Sequence, residues 1–319
     1  MKRRRKIRLA PLWFLLPNLV GFLIFTAWPV IYSFAAGFTN SSLLDTGNTR
    51  FVGLNNFAEL IHDEKFWLSF INTVYLMIGI PISIALSLWL AILLHRKMRG
   101  ADTLKALLFL PSVTSGVAIM ILWKQLYNPD FGPVNAMIEG VANWFGVHLH
   151  GPQWLLSTDN LAGLKVEHVG LAKQHFGLGA RDALNILGIW AGIGGANMLL
   201  YLAGLSNVPP ELIEAAQVDG AGKWQVFRCV TWPQLAPTTF FISVMSIIGG
   251  LQGGFETAKV MTNGGPAGTT STMAFYIYTK AFEEFRIGYA SAVSWILFAM
   301  IFAFTLVNWK FGNKEGSFA

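Results

Sequence analysis

Charge is what this sequence has least of. Asp, Glu, Lys and Arg make up 13% of its 319 residues, against 54% hydrophobic, and mean hydropathy is +0.50. A soluble domain carries about 25% charge, so a water-surrounded globule is excluded and a bilayer is the natural solvent. Six long apolar stretches carry no charge: 9–44, 66–94, 106–123, 183–210, 229–255 and 287–309. Each is long enough for a helix that crosses a bilayer. A seventh, 140–158, holds His148, His150, Pro152 and Gln153 and is too polar to count. Cysteine is nearly absent as well. Cys229 stands alone, which rules out an intrachain disulfide.

Catalytic constellations are missing too. The stretch "GAGK" (220–223) hints at a phosphate loop, but that loop needs Gly where Gln217 stands and Ser or Thr where Trp224 stands. A dinucleotide glycine pattern starting at Gly192 is broken by Asn197. His148, His150, His168 and His175 match no metal-ligand spacing. No catalytic residue, metal site or cofactor is therefore expected, and the chain is predicted not to be an enzyme.

What is present is an all-α polytopic pattern. Six transmembrane helices are predicted over 9–36, 69–94, 104–127, 183–205, 237–255 and 287–309, within a single domain covering 1–319. The basic start "MKRRRKIR" precedes an apolar run much longer than a cleaved signal's core of roughly 7–15 residues. It reads as a retained first helix. With the N-terminus inside, fourteen Lys and Arg fall in inside segments and eight in outside ones. That bias predicts both termini in the cytoplasm. The net charge of +6 then needs no nucleic acid, since a basic rim beside anionic membrane lipid accounts for it.

Several predicted helices contain proline: Pro17, Pro29, Pro81 and Pro111. These mark either packing kinks or breaks along a path. The pairs Gly188/Gly192, Gly249/Gly253 and Gly250/Gly254 are small residues four apart, a spacing that favours close helix approach. The segment 128–182 is a long extracytoplasmic loop that begins with an amphipathic helix. Its later portion, 157–181, has no clear pattern.

The cytoplasmic segment 206–236 is distinctive. Pro209 and Pro210 suit a helix start, and Glu211 and Glu214 favour the positive end of its dipole. Leu212, Ala215, Ala216 and Asp219 share a face. Gly220 suits the left-handed position that stops a helix. Two short helices with a glycine elbow are expected, offered to the cytoplasm. Membrane-surface helices tend to be basic, whereas this one is acidic, which favours docking to a protein.

In "EAAQVDGA" followed by "VTWP", the chain resembles the EAA loop of the membrane subunits of binding-protein-dependent ABC importers. Glu214, Ala215, Ala216, Gly220 and Pro233 match that pattern at its spacing, while Val230 and Trp232 replace the usual Ile and Leu. "FVGLNNF", "FINTVYL", "RKMRGADTLKALLFLPSV", "ILWKQLYNPDFGPVNAM" and "TNGGPAGTT" look like the carbohydrate-type permeases of maltose, lactose and glycerol phosphate importers. The resemblance implies the type I ABC importer permease fold, in the bacterial cytoplasmic (inner) membrane. It implies a second permease subunit, an ATP-binding cassette ATPase dimer and an extracytoplasmic solute-binding protein as partners. The substrate would be a sugar or related polyol phosphate. Glu214, Ala215, Ala216, Asp219, Gly220 and Pro233 would couple the chain to the ATPase.

Polar residues inside membrane helices are functional candidates, and sugar sites pair hydrogen-bonding groups with an aromatic face. Trp190, Asn197, Gln252, Phe255 and Glu256 are the candidates for the solute path, with bundle packing as the alternative reading of each. The rival function is a secondary, ion-coupled transporter. It predicts a charged residue in mid-helix and an internal repeat, and the sequence displays neither.

Overall fold

A computed structural model describes residues 10–96, 99–163 and 177–312. The basic residues Lys2 to Arg8, Lys97, Lys165, Lys173 and Lys314, with His168 and His175, lie outside the described residues. Among the described residues the architecture is helical, and the one extended pairing is an isolated bridge between Thr39 and Phe51.

The chain begins with α1 (Ala10–Phe22) and α2 (Trp28–Ala36), joined by a π-helical turn at Leu23–Ala27. Proline explains that turn. Pro29 has no N–H, and its ring crowds the carbonyl four residues back. Immediately before it, the Trp28 N–H donates to the Leu23 carbonyl, five residues back. The helix widens there and continues. A short amphipathic helix follows, α3 (Asn55–His62). Then α4 (Glu64–Met77) is capped by the Asp63 carboxylate, which accepts from the Lys65 N–H at 2.9 Å. After Ile78 the chain continues as α5 (Gly79–His95). Pro81 falls in its first turn, where no helical donor is needed.

The third expected span is not one straight helix. Instead α6 (Ala101–Val113) and α7 (Gly116–Leu126) meet at 98°. Pro111 removes one donor near the end of α6. Ser112 Oγ donates to the Phe109 carbonyl at 2.7 Å, and Thr114 Oγ1 to the Leu110 carbonyl at 3.0 Å. These hydroxyls bond back into the last turn, the Leu110 carbonyl also accepting from the Thr114 N–H at 3.2 Å, and Thr114 turns extended at ψ 148°.

Next come α8 (Pro133–Trp144), then α9 (Ala180–Ile193) and α10 (Ala196–Ser206), which are separated by Gly194 and Gly195. The loop helices are α11 (Pro210–Val218) and α12 (Lys223–Val226). A π-turn at Phe227–Thr231 leads straight into α13 (Trp232–Gln252). The fifth span thus starts at Lys223 rather than near 237, because Pro233 is absorbed as Pro29 is. The Trp232 N–H reaches back five residues to the Phe227 carbonyl. The remaining helices are α14 (Phe255–Thr257), α15 (Met273–Tyr278) and α16 (Ile287–Gly312).

Among the described residues, five helical segments are long and apolar enough to cross a membrane: Phe14–Ala36, Glu64–His95, Ala180–Ser206, Lys223–Gln252 and Ile287–Leu306. The bent α6–α7 pair makes a sixth if it is one span.

Two compact units are present. One comprises Met1–His62 and Ile277–Phe298. In it Phe34 packs edge-on against Trp295 with centroids 4.7 Å apart, and Trp295 Nε1 donates to Ser33 Oγ at 3.0 Å. Arg286 forks onto Glu59 with two bonds of 2.7 Å. Those bonds raise the pKa of the guanidinium above its ordinary value.

The other unit comprises Asp63–Tyr276 and Ala299–Ala319. Its inner packing joins α5, α10 and α13 through Ala91, Leu94, Met198, Tyr201, Leu235 and Ile242. In lipid such helices associate by close packing and hydrogen bonds rather than by hiding apolar surface from water. The glycines divide accordingly. A Cβ on Gly192 would lie 3.0 Å from Ser83, one on Gly194 2.2 Å from the Leu108 carbonyl oxygen, and one on Gly250 2.8 Å from Ile80. Gly188 and Gly249, by contrast, face open space. The pairs therefore differ: in Gly188/Gly192 only Gly192 meets another helix, in Gly250/Gly254 both lie against other segments (a Cβ on Gly254 would be 2.7 Å from Thr272), and a Cβ on Gly253 would meet the Gly249 carbonyl of its own helix.

Candidate functional site

The loop 206–236 folds as its residues direct. Pro210 occupies the first helical position of α11 and Glu211 its first turn. The helix stops in a Schellman arrangement: the Gly220 N–H donates to the Gln217 carbonyl at 3.0 Å, and the Ala221 N–H to the Ala216 carbonyl at 2.9 Å. Gly220 supplies the left-handed residue this needs, at φ +82°. Two residues later the Gly222 N–H donates to Gln225 Oε1 at 2.7 Å, which starts α12.

No residue of α11 is buried. Glu214, Ala215, Asp219 and Gly220 are exposed, and Val218 is 87% exposed. Ala216 is half-buried together with Ile213, so it lies on the side of the helix facing the body of the unit, away from Ala215. The Glu214 carboxylate has no partner among the described residues. Trp232, in the family's Leu position, joins an aromatic row. Its ring lies 6.3 Å from Phe227, which stacks on Trp224 at 5.5 Å. The larger side chain thus packs along the π-turn.

Four of the five solute-path candidates gather around α7. Gln252, Phe255 and Glu256 flank the Gly253–Gly254 break that ends α13. Gln252 and Glu256 are exposed and Phe255 half-buried. Glu256 Oε2 lies 3.3 Å from where a Cβ of Gly116 would be, at the start of α7. Two turns along α7, Trp123 meets Trp190 edge-on at 5.3 Å. Asn197 stands apart, half-buried on α10 beyond the Gly194–Gly195 break.

The sequence reading missed a buried polar lock. Arg181, 2% exposed, donates through Nε to Asn72 Oδ1 at 2.9 Å and to the Thr269 carbonyl at 3.0 Å. Asn72 in turn donates to the Gly268 carbonyl at 2.7 Å and the Ser271 carbonyl at 2.9 Å. Next to Arg181, Asp182 accepts from the Tyr75 hydroxyl and from the Leu161 N–H. Asn72 belongs to "FINTVYL", and Gly268 and Thr269 to "TNGGPAGTT". Two stretches far apart in sequence are therefore one hydrogen-bonded structure. The Arg181 Nε and the Asn72 amide together tie that loop to α4 and α9, while Arg181 Nη1 is buried with no hydrogen-bond partner. The available signal was the pairing of Asn72, in a hydrophobic span, with a glycine-rich loop that had no assigned contact.

Residues 64–309 match the family described as "Binding-protein-dependent transport system inner membrane component". The chain belongs to this family. The permease is 33% identical over 318 residues to the "Probable ABC transporter permease protein YesP" of Bacillus subtilis, covering 97% of this chain and 93% of that one. It is 29% identical to the "Multiple sugar-binding transport system permease protein MsmF" of Streptococcus mutans, covering 94% of each. It is 27% identical to the "sn-glycerol-3-phosphate transport system permease protein UgpA" of Yersinia enterocolitica, covering 96% and 94%. Its fold matches a chain of a bacterial alginate ABC transporter solved with a periplasmic protein bound to an alginate pentasaccharide. The TM-score is 0.74 at 22% identity, covering 97% and 95%. The permease is thus a multi-pass inner-membrane transport component of all-helical fold. As its relatives' names state, it is a permease and not a catalytic subunit.

Proposed function

We propose that the permease forms, with a second permease subunit, the translocation path for a sugar or a related polyol phosphate, and takes its energy from a cytoplasmic ATPase dimer through α11. One observation carries the coupling half of this reading. An acidic helix with no fully buried residue turns one side outward, and on that side its one central carboxylate, Glu214, has no partner among the described residues. That outer side gains no packing from its own fold and is free to meet a surface outside the chain. Ala215 on the exposed side permits close backbone approach, and Glu214 supplies a polar anchor. The names of MsmF and UgpA, which refer to sugars and glycerol phosphate, support the substrate class. An extracytoplasmic binding protein would deliver the solute.

Replacing Glu214 with Lys tests this directly. The variant should insert normally, lose uptake and fail to co-purify with the ATPase subunit. Unchanged uptake together with unchanged co-purification sinks the docking role.

A further inference from the structure

A cavity of about 690 Å³ lies beneath the inner side of α11. Its walls are the ends of α5 and α10, with Ile92, Leu205 and Val208, and the loop helices, with Ile213, Val226 and Phe227. The size is that of an ordinary small-ligand pocket. Its polar lining is one-sided. His95, Arg96 and Lys223 stand at it and no Asp or Glu does. None of these three side chains has an acidic partner among the described residues. The acidic residues of α11 (Glu211, Glu214 and Asp219) are exposed and do not line the cavity.

We propose that this cavity is a site for an anionic phospholipid, its phosphate held by Arg96, Lys223 and His95 and an acyl chain lying on the apolar floor. Position argues for a lipid over a soluble anion. The spans Glu64–His95 and Ala180–Ser206 both end at the cavity, so it straddles the level where apolar helix gives way to headgroups. Basic pockets between helices at that level recognise anionic headgroups. A soluble anion has no use for the floor of Ile92, Leu205 and Val208, and a neutral lipid has none for the unpaired cations Arg96 and Lys223. The chain's own N-terminus is rich in Lys and Arg, and like charge disfavours it as the occupant. A bound lipid would brace the inner side of α11, at Ile213 and Gln217, against α5 and α10. The lipid would thereby set how firmly the elbow is held.

The test uses the complete transporter, purified in detergent, exposed to phosphatidylglycerol or phosphatidylcholine and examined by native mass spectrometry during graded delipidation. Phosphatidylglycerol should be retained and phosphatidylcholine lost. Arg96→Gln and Lys223→Gln should each weaken retention about fivefold. Lys105→Gln, a cation outside the cavity, should not. Ile213→Trp, which fills the floor without touching charge, should also weaken it, and keeps the question answerable if Arg96→Gln fails to assemble. Equal retention of the two lipids overturns the proposal. So does retention unaffected by all three cavity variants, displacement by inorganic phosphate alone, or displacement by an acidic peptide alone. The readout needs neither solute nor ATP, so its failure is separate from failure of the transport reading.

Discussion

Gly220 offers a perturbation whose cost can be worked from its geometry. Its φ is +82°, and an added Cβ would meet nothing within 4 Å. Inside this chain the glycine is therefore needed for its backbone angle and not for space. An L-residue in the left-handed region costs about 1–2 kcal/mol, which is about 5- to 30-fold in an equilibrium. Gly220→Ala should weaken association with the ATPase subunit by about that factor. The helix end would otherwise have to give up the bonds from the Gly220 and Ala221 N–H groups. Hydrogen exchange at those two amides should accelerate in parallel, with or without the partner. Asparagine tolerates this region better than alanine, so Gly220→Asn should fall nearer the wild type although it is larger. The ordering separates two causes. Asn better than Ala means that backbone angle matters. Asn worse than Ala means that the partner's surface needs the empty space, and this argument from φ is then refuted. Wild-type behaviour in both variants would mean that the Schellman stop does not matter at all.

Other variants probe the fold. Arg181→Met leaves Asn72 Oδ1 and the Thr269 carbonyl without their donor and Asp182 without its neighbouring cation. It should cost about 3 kcal/mol, read as a lower unfolding midpoint in detergent; an unchanged midpoint would show that the lock contributes little. Gly194→Ala forces a Cβ to within 2.2 Å of the Leu108 carbonyl oxygen and should cost about 1–3 kcal/mol. Gly188→Ala, facing open space, should be near neutral in the same assay.

Much of the helix pattern was legible because a bilayer imposes a coarse rule: apolar runs without charge must be helices. Hence α1–α2 and α16 fall on the charge-free runs that begin at 9 and at 287. Bends were less legible, since proline alone does not say how its freed carbonyl is satisfied. Pro29 and Pro233 follow π-turns that keep their helices going, while Pro111, followed by Ser112 and Thr114, precedes a 98° break. What accompanies the break is a pair of hydroxyls bonding back into the last turn and an extended Thr114, a second-order signal. Gly220 was legible because its role is local: a helix stop needs one backbone angle. The lock at Arg181 was not, because it joins α4, α9 and the 268–271 loop, and no local pattern reports such a contact.

The elbow and three of the solute-path candidates lie at the two ends of one mechanical element. From Lys223 to Gln252 the chain is a single uninterrupted helix of 30 residues, about 45 Å long at 1.5 Å per residue. The elbow Gly220–Gly222 is at one end. The Gly253–Gly254 break, with Gln252, Phe255 and Glu256, is at the other. Within this rod the irregular points are the π-turn before Pro233, which the aromatic row Trp224, Phe227 and Trp232 covers, and Pro237 inside α13. Under the proposed docking, a displacement imposed on α11 reaches the path candidates through a rigid body with flexible joints at its ends, so the chain needs no hinge in mid-membrane. The same reasoning gives Trp232 a purpose. A turn with widened hydrogen bonding is the place where such a rod would yield first, and a stacked aromatic cover stiffens it.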